Sequence, residues 1–264
     1  MITIKIGGSV VSDLHPSFIS DLRQISDSVI LVHGGGKEVT RVSSQLGCEP
    51  RFITSPNGIR SRYTDAETAS IFTMVMSGRI GKEIVRMLQM NDVDAVGISG
   101  VDSRTIQAAR KKRLLIVNER GRKQAIPGGY TGKITQVNPR LIRTLLDAGM
   151  TPVVSPIAIS EESEFLNVDG DRAAAYIAGG TDSDRVIFIT DVDGLMQDDR
   201  LVTGLTLKQA KEIRPKIGPG MEKKILAATE ALEMGVSEAI IASGRRANPI
   251  SHALSHETCT VIKR

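Results

Sequence analysis

Tryptophan is missing from the 264 residues altogether, and aromatic side chains make up only 3%. A chain so poor in rings lacks the stacking platforms on which single-stranded nucleic acid is usually held, so no nucleic-acid partner is expected. Its core has to be assembled from Ile, Val, Leu, Ala and Met. Cysteine is nearly absent as well: Cys48 and Cys259 are the only two. Two thiols do not make a disulfide framework in a chain of this length, which points to a reducing, cytoplasmic setting. No apolar run approaches the roughly 20 residues of a bilayer span. The opening MITIKIGGSVV has neither the basic start nor the apolar stretch of a signal peptide, and no membrane association is expected. The four histidines, His15, His33, His252 and His256, show no metal-ligand spacing, and no Cys/His cluster exists, so no protein-held metal is expected. The Walker loop, the dinucleotide fingerprint G-x-G-x-x-G and the nucleophile elbow G-x-S-x-G are all lacking, which removes several common enzyme classes.

What remains is an ordinary globular balance, 41% apolar and 24% charged, with a net charge of +4 and a pI of about 9.1. Short β-branched runs at 2–6, 28–32, 95–99, 151–155, 186–190, 239–242 and 259–262 read as strands. Helical spacing covers 65–90, 139–148, 171–179 and 220–234, and another helix starts near Lys37. Strand and helix in alternation imply an α/β chain built as a three-layer αβα sandwich around a mostly parallel sheet. A change of character near 161–166, from glycine loops to acidic loops, divides one domain (1–264) into an N-terminal lobe, 1–166, and a C-terminal lobe, 167–264. One segment departs from the alternation. Residues 113–117 and 123–126 flank N-E-R-G-R and read as a β-hairpin. It carries Arg110, Lys111, Lys112, Arg113, Arg120, Arg122 and Lys123 against Glu119 alone. Such charge protects a sheet edge or docks something acidic.

The chemistry concentrates in five loops, each following a strand or opening a helix. Lys5-Ile6-Gly7-Gly8-Ser9 sets a lysine beside glycines that let a phosphate approach the backbone. His33-Gly34-Gly35-Gly36 ends the second strand and leads into a helix, a natural anion site. Asn167-Val168-Asp169-Gly170-Asp171 opens a helix, where an Asp is either a cap or an anchor that keeps nearby lysines charged. Thr190-Asp191-Val192-Asp193-Gly194 ends a strongly apolar strand, where open α/β sheets bind ligands. Lys216-Ile217-Gly218-Pro219-Gly220-Met221-Glu222-Lys223-Lys224 places Lys224 in the first turns of a helix. Taken singly, each loop is equally compatible with a plain turn.

Their order along the chain is far more specific. The set K-I-G-G-S, V-H-G-G-G, N-G-I-R-S-R-Y-T-D-A-E, N-V-D-G-D-R-A-A, I-T-D-V-D-G-L and G-P-G-M-E-K-K resembles the amino acid kinase family, in particular its acetylglutamate kinase branch, over essentially the whole chain. The long T-S-P-N-G-I-R-S-R-Y-T loop and P-G-G-Y-T-G-K resemble the kinases of lysine and arginine biosynthesis that act on α-aminoadipate or glutamate carried on LysW, a small acidic amino-group carrier protein. The resemblance implies the amino acid kinase fold and transfer of a phosphoryl group from ATP, with Mg²⁺, to a side-chain carboxylate. It implies that Lys5 and Lys224 stabilise the transition state and that Asp171 orients both. Gly35, Gly36, Arg62 and Asn167 would bind the carboxylate substrate. Arg62 rather than Arg60 matches the family's arginine when the loop is anchored on Thr64-Asp65. Gly8, Thr190, Asp191, Gly194 and Gly220 would border the nucleotide. Family members are commonly dimers or larger, and the resemblance implies a homodimer here. With an acidic carrier as partner, the basic hairpin reads as its docking surface. The competing expectations are an acetylglutamate kinase acting on free N-acetylglutamate and a non-catalytic ligand sensor on the same fold.

Overall fold

The computed structural model describes residues 1–11 and 13–264. The first strand, Ile2–Ile6, is buried at every position, and so is Val29–His33. Strands apolar on both faces belong in the middle of a parallel sheet with helices above and below. Eight strands form that sheet, in the order Gly204–Thr206, Cys259–Lys263, Glu238–Ser243, Arg185–Thr190, Ile2–Ile6, Val29–His33, Thr151–Ser155 and Ala95–Ser99. Pairing is parallel except between Glu238–Ser243 and Cys259–Lys263. Two apolar clusters fill the spaces on either side. On one face lie the helices Arg140–Asp147, Gly170–Gly180 and Pro219–Glu233; on the other lie Phe18–Gln24, Pro249–Leu254 and the long segment from Ala66 to Gln89. This is the expected three-layer sandwich.

Ile2–Ile6 occupies the position that matters for function. Val29–His33 lies on one side of it and Arg185–Thr190 on the other, with Lys5 in register with Val32 and Phe188. The order of strands therefore reverses around the first strand, and a crevice opens beyond the carboxyl ends of all three.

Three features differ from the sequence reading. The stretch read as one helix over 65–90 is α-helical at Ala66–Thr73, π-helical at Met74–Ile80 and α-helical again at Gly81–Gln89. Apolar spacing does not reveal which carbonyl each N–H selects, so the wider turn is invisible in the sequence. A second sheet, Phe165–Asn167, Ile157–Ile159, Ile106–Arg110 and Gly132–Val137, lies beside the first. Its strands are short, and one is bulged at Gln107/Ala108. The arginine-rich loop folds as a small hairpin, Phe52–Thr54 with Arg60–Arg62.

The basic hairpin forms as expected, from Arg113–Val117 and Lys123–Pro127. Its underside is apolar: Ile116 and Ile126 pack with Ile53, Leu114 and Tyr63, joining it to the smaller arginine hairpin. Two of its supposed docking charges lie elsewhere. Arg110 ends a strand of the second sheet, pairs with Glu164 at 2.6 Å and lies over the Tyr130 ring. Lys111 is half-buried and faces the crevice. Lys112, Arg113, Arg120, Arg122 and Lys123 are the exposed cations that remain.

Candidate active site

The crevice is a cleft of about 750 Å³. Its floor is made where two glycine loops meet. A Cβ on Gly8 would lie 2.5 Å from the backbone nitrogen of Gly35, and one on Gly34 would lie 2.6 Å from that of Gly8. No side chain fits between these backbones, which is why both turns are glycine. The Gly34 N–H also donates to the Ile6 carbonyl at 2.8 Å, locking the loops together. The helix Gly36–Gln45 starts there, so its N-terminus and the loop amides face the same space.

Beside this floor lies a buried triad of charges. Lys5 Nζ is 2.6 Å from Asp171 Oδ1, and Lys224 Nζ is 3.3 Å from Asp171 Oδ2, with the three side chains only 8%, 14% and 7% exposed for Lys5, Lys224 and Asp171. Burial on its own would raise the Asp171 carboxyl, but the charges of Lys5 and Lys224 overcome it and hold the group at about 2. Asp171 reaches this place because Asp169 does the capping. Asp169 Oδ1 accepts from the backbone of Asp171 and Arg172, starting the helix Gly170–Gly180 and turning the Asp171 side chain inward. Two ammonium groups on one carboxylate leave a net charge of +1 out of water. A buried charge without a counter-charge is costly, and an incoming anion is its natural complement.

Arg62 stands on the opposite wall. Its Nη2 donates to the Gly36 carbonyl at 2.9 Å and to Thr40 Oγ1 at 2.6 Å, tying the arginine hairpin to the helix after the glycine loop. Its Nη1 is buried and has no hydrogen-bond partner among the described residues. Burial lowers the guanidinium's pKa, the direction expected of a cation held ready without its anion. Arg60 and Arg62 both lie over the Phe52 ring, at 4.4 and 5.0 Å, and both line the cleft, Arg60 being the more exposed. Asn167 donates from Nδ2 to Thr64 Oγ1 at 2.9 Å and also lines the cleft.

The structure thus gathers Lys5, Gly8, Gly35, Gly36, Arg62 and Asn167 around one cleft, with Asp171 and Lys224 at its buried edge. Thr190, Asp191, Gly194 and Gly220 do not line it. Thr190 and Asp191 lie at the carboxyl end of the next strand, where Thr190 Oγ1 donates to Asp191 Oδ1 at 3.1 Å. Burial opposes ionisation of Asp191, yet its own backbone N–H, the Thr190 hydroxyl, and the charges of Arg245 and Lys224 hold its carboxyl below the usual range. Gly194 has a packing reason to be glycine: a Cβ there would collide with Thr260 Oγ1. Gly220 is in the first turn of the helix Pro219–Glu233 with open space around it.

Several cleft residues carry no motif signal, among them Thr40, Phe52, Met76 and Lys111. Only Thr40, one turn beyond Gly36, was within reach of the sequence. A second hollow of about 390 Å³ opens at the amino ends of the strands, near Asp27, Asp94 and Thr151. That is the wrong end of such a sheet for a substrate site.

Residues 1–243 match the amino acid kinase family. The chain belongs to the amino acid kinase family. A relative from Nitrosopumilus maritimus strain SCM1 is 71% identical, over 100% of this chain and 99% of that protein, and its name assigns it provisionally as a LysW-aminoadipate/LysW-glutamate kinase. A Sulfolobus acidocaldarius protein named LysW-aminoadipate/LysW-glutamate kinase is 44% identical, over 96% of this chain and 97% of that protein. Among solved structures, a Giardia carbamate kinase superposes with a TM-score of 0.67 at 15% identity, covering 100% of this chain and 98% of that one. At that identity the likeness concerns the amino acid kinase fold alone. Membership of a kinase family makes the chain a phosphotransferase that uses ATP.

Proposed function

We propose that this kinase transfers the γ-phosphoryl group of ATP to the side-chain carboxylate of α-aminoadipate, of glutamate or of both, presented on a LysW-type carrier protein. The observation that carries the phosphoryl-transfer reading is the buried Lys5–Asp171–Lys224 triad with its net positive charge, set against the interlocked glycine loops. The substrate class rests on relatives at 71% and 44% identity over nearly the full chain.

In this reading the reaction joins two anions, so positive charge and alignment do most of the work. Lys5 and Lys224 approach the phosphoryl group from opposite sides and offset charge on its oxygens, while Asp171 holds both ammonium groups in place. The Gly8, Gly35 and Gly36 amides cradle the group in transit. The free Nη1 of Arg62 takes the substrate's α-carboxylate, and Asn167 orients the amide through which the substrate is attached. Residues 1–166 hold the carboxylate substrate and 167–264 the nucleotide, with Thr190, Asp191, Gly194 and Gly220 bordering the nucleotide. No group of three Asp, Glu, His or Cys side chains converges among the described residues, so Mg²⁺ would arrive on the nucleotide's phosphates, with the protein adding at most one or two oxygens. When bound with the nucleotide, it would supply positive charge that offsets the charge of the phosphates. The exposed cations of the basic hairpin, Arg113, Arg120, Arg122 and Lys123, form the docking surface for the acidic carrier.

The test supplies ATP, Mg²⁺ and hydroxylamine with carrier-bound aminoadipate, carrier-bound glutamate or free N-acetylglutamate, and traps the acyl phosphate as its hydroxamate. Product with either carrier-bound substrate is expected. Product with free acetylglutamate alone would overturn the carrier assignment.

A further inference from the structure

Behind the glycine loop lies a buried polar chain that the motif does not explain. The His33 side chain is completely buried. Its Nδ1 is 3.0 Å from the Gly34 carbonyl oxygen, and its Nε2 is 2.9 Å from Ser155 Oγ. A carbonyl only accepts, so Nδ1 carries the proton and Nε2 is an acceptor for the Ser155 hydroxyl. Ser155 ends the neighbouring strand, and its single hydroxyl proton is shared between His33 Nε2 and the carbonyl oxygen of Met76, 3.2 Å from Oγ in the π-helical stretch Met74–Ile80. The same stretch presses on the loop directly: a Cβ on Gly35 would collide with Ile80 Cδ1 and lie 2.9 Å from Met76 Sδ. The π-helix is where one extra residue is accommodated, and such turns often occur at functional sites. Here it turns the Met76 carbonyl and the Ile80 side chain to the back of the loop, while Met76 Sδ packs against Gly35 at the edge of the cleft.

We infer that His33, Ser155 and the π-helical turn at Met76–Ile80 form a positioning device that sets the Gly34–Gly36 backbone, so that its amides meet the phosphoryl group in flight. This rests on the phosphoryl-transfer reading and deepens it: neither His33 nor Ser155 lines the cleft, and their contribution falls on the transition state rather than on binding. Backbone donors aimed at developing charge are worth about two to three orders of magnitude each when removed, so a loop displaced by a few tenths of an ångström loses part of that.

The experiment uses the full chain and the variants S155A and H33Q, of which S155A is the less disruptive to packing. Three quantities are read: kcat, the Kd of Mg·ADP, and the Kd of Mg·ADP with aluminium fluoride and the carboxylate substrate, where aluminium fluoride stands for the transferring phosphoryl group. In S155A we expect kcat to fall about tenfold and the aluminium fluoride complex to weaken about tenfold, with Mg·ADP affinity and the unfolding midpoint near wild type. H33Q keeps an amide near the Nε2 position but loses the bond to Gly34, and should show the larger fall in both. Wild-type kcat and wild-type aluminium fluoride affinity in both variants would overturn the inference. So would a parallel loss of Mg·ADP affinity and thermal stability, which marks a purely structural network. Failure of the wild-type enzyme itself to bind aluminium fluoride in the presence of Mg·ADP would instead strike at the phosphoryl-transfer reading.

Discussion

At the scale of single residues, the triad makes an asymmetric prediction. Lys5, Lys224 and Asp171 together carry +1 in a site almost closed to water. Replacing one lysine by Met leaves a single ammonium opposite a single carboxylate, a balanced pair. Replacing Asp171 by Asn leaves two buried ammonium groups with nothing between them. Lys5→Met and Lys224→Met should therefore lower kcat by about two orders of magnitude or more while keeping the urea unfolding free energy close to wild type. Asp171→Asn should lose comparable activity and about 3 kcal/mol of stability as well. Near wild-type turnover in either lysine variant would remove the two-lysine mechanism. His33 supplies a second prediction. Burial, followed by the charge of Lys5, holds its ring at about 4 against an ordinary 6.5, despite the opposing bond to Gly34. Between those values the unfolded chain takes up a proton that the folded one refuses, so stability falls as pH drops through that window and is restored above 6.5. The difference is on the order of 3 kcal/mol between pH 7 and pH 4. Urea unfolding at pH 7, 5.5 and 4.5 should show a steeper decline for wild type than for H33Q, since His15, His252 and His256 are common to both. Equal slopes would mean that His33 is charged in the native state.

At the scale of elements, what the sequence discloses depends on how local the cause is. The strand at 2–6 is legible because it is buried at all five positions, those at 95–99 and 151–155 because short β-branched runs there are mostly or partly buried, and the glycine turns because backbone meets backbone there. The basic hairpin is legible because its turn is local: Asn118 Oδ1 accepts from the backbone of Arg120 and Arg122 within one loop. The second sheet is not, since Ile106–Arg110 pairs with Gly132–Val137 and Ile157–Ile159, strands too far apart in sequence to announce one another. Nor is the division between Asp169 and Asp171, where two acids two residues apart become a cap and an anchor. The resemblance to a kinase family supplied that assignment, and the geometry supplies its reason. Charge along 110–123 reads as one surface in the sequence, but the fold divides it: Arg110 is paired with Glu164 and Lys111 faces the cleft. The docking prediction therefore moves outward. Reversing Arg113, Arg120 and Lys123 to Glu should raise KM for the carrier-bound substrate by about tenfold or more, leaving kcat and the KM for ATP within about twofold. An unchanged KM would return the hairpin to the role of a solvated edge.

At the scale of the whole molecule, the net charge of +4 is modest, and its distribution matters more than its sum. The cleft is lined by Lys5, Lys37, Arg60, Arg62, Lys111, Arg172 and Lys223 against a single acid, Asp169. Arg172 is already paired with Glu230 at 2.6 Å. The exposed hairpin cations lie on the neighbouring wall, so the field that attracts an acidic carrier leads toward the site that must receive its cargo. Two contributions to that attraction can be separated by salt. Exposed charges are screened over about 8 Å at physiological ionic strength, whereas groups inside the cleft are screened much less. Raising KCl from about 50 to 300 mM should lower kcat/KM for the carrier-bound substrate steeply in wild type. In the hairpin-reversal variant the slope should be shallower, and single-turnover transfer from the preformed complex should change little in either enzyme. A reversal variant with the wild-type salt slope would mean that the cleft's own cations, not the hairpin, draw the carrier in.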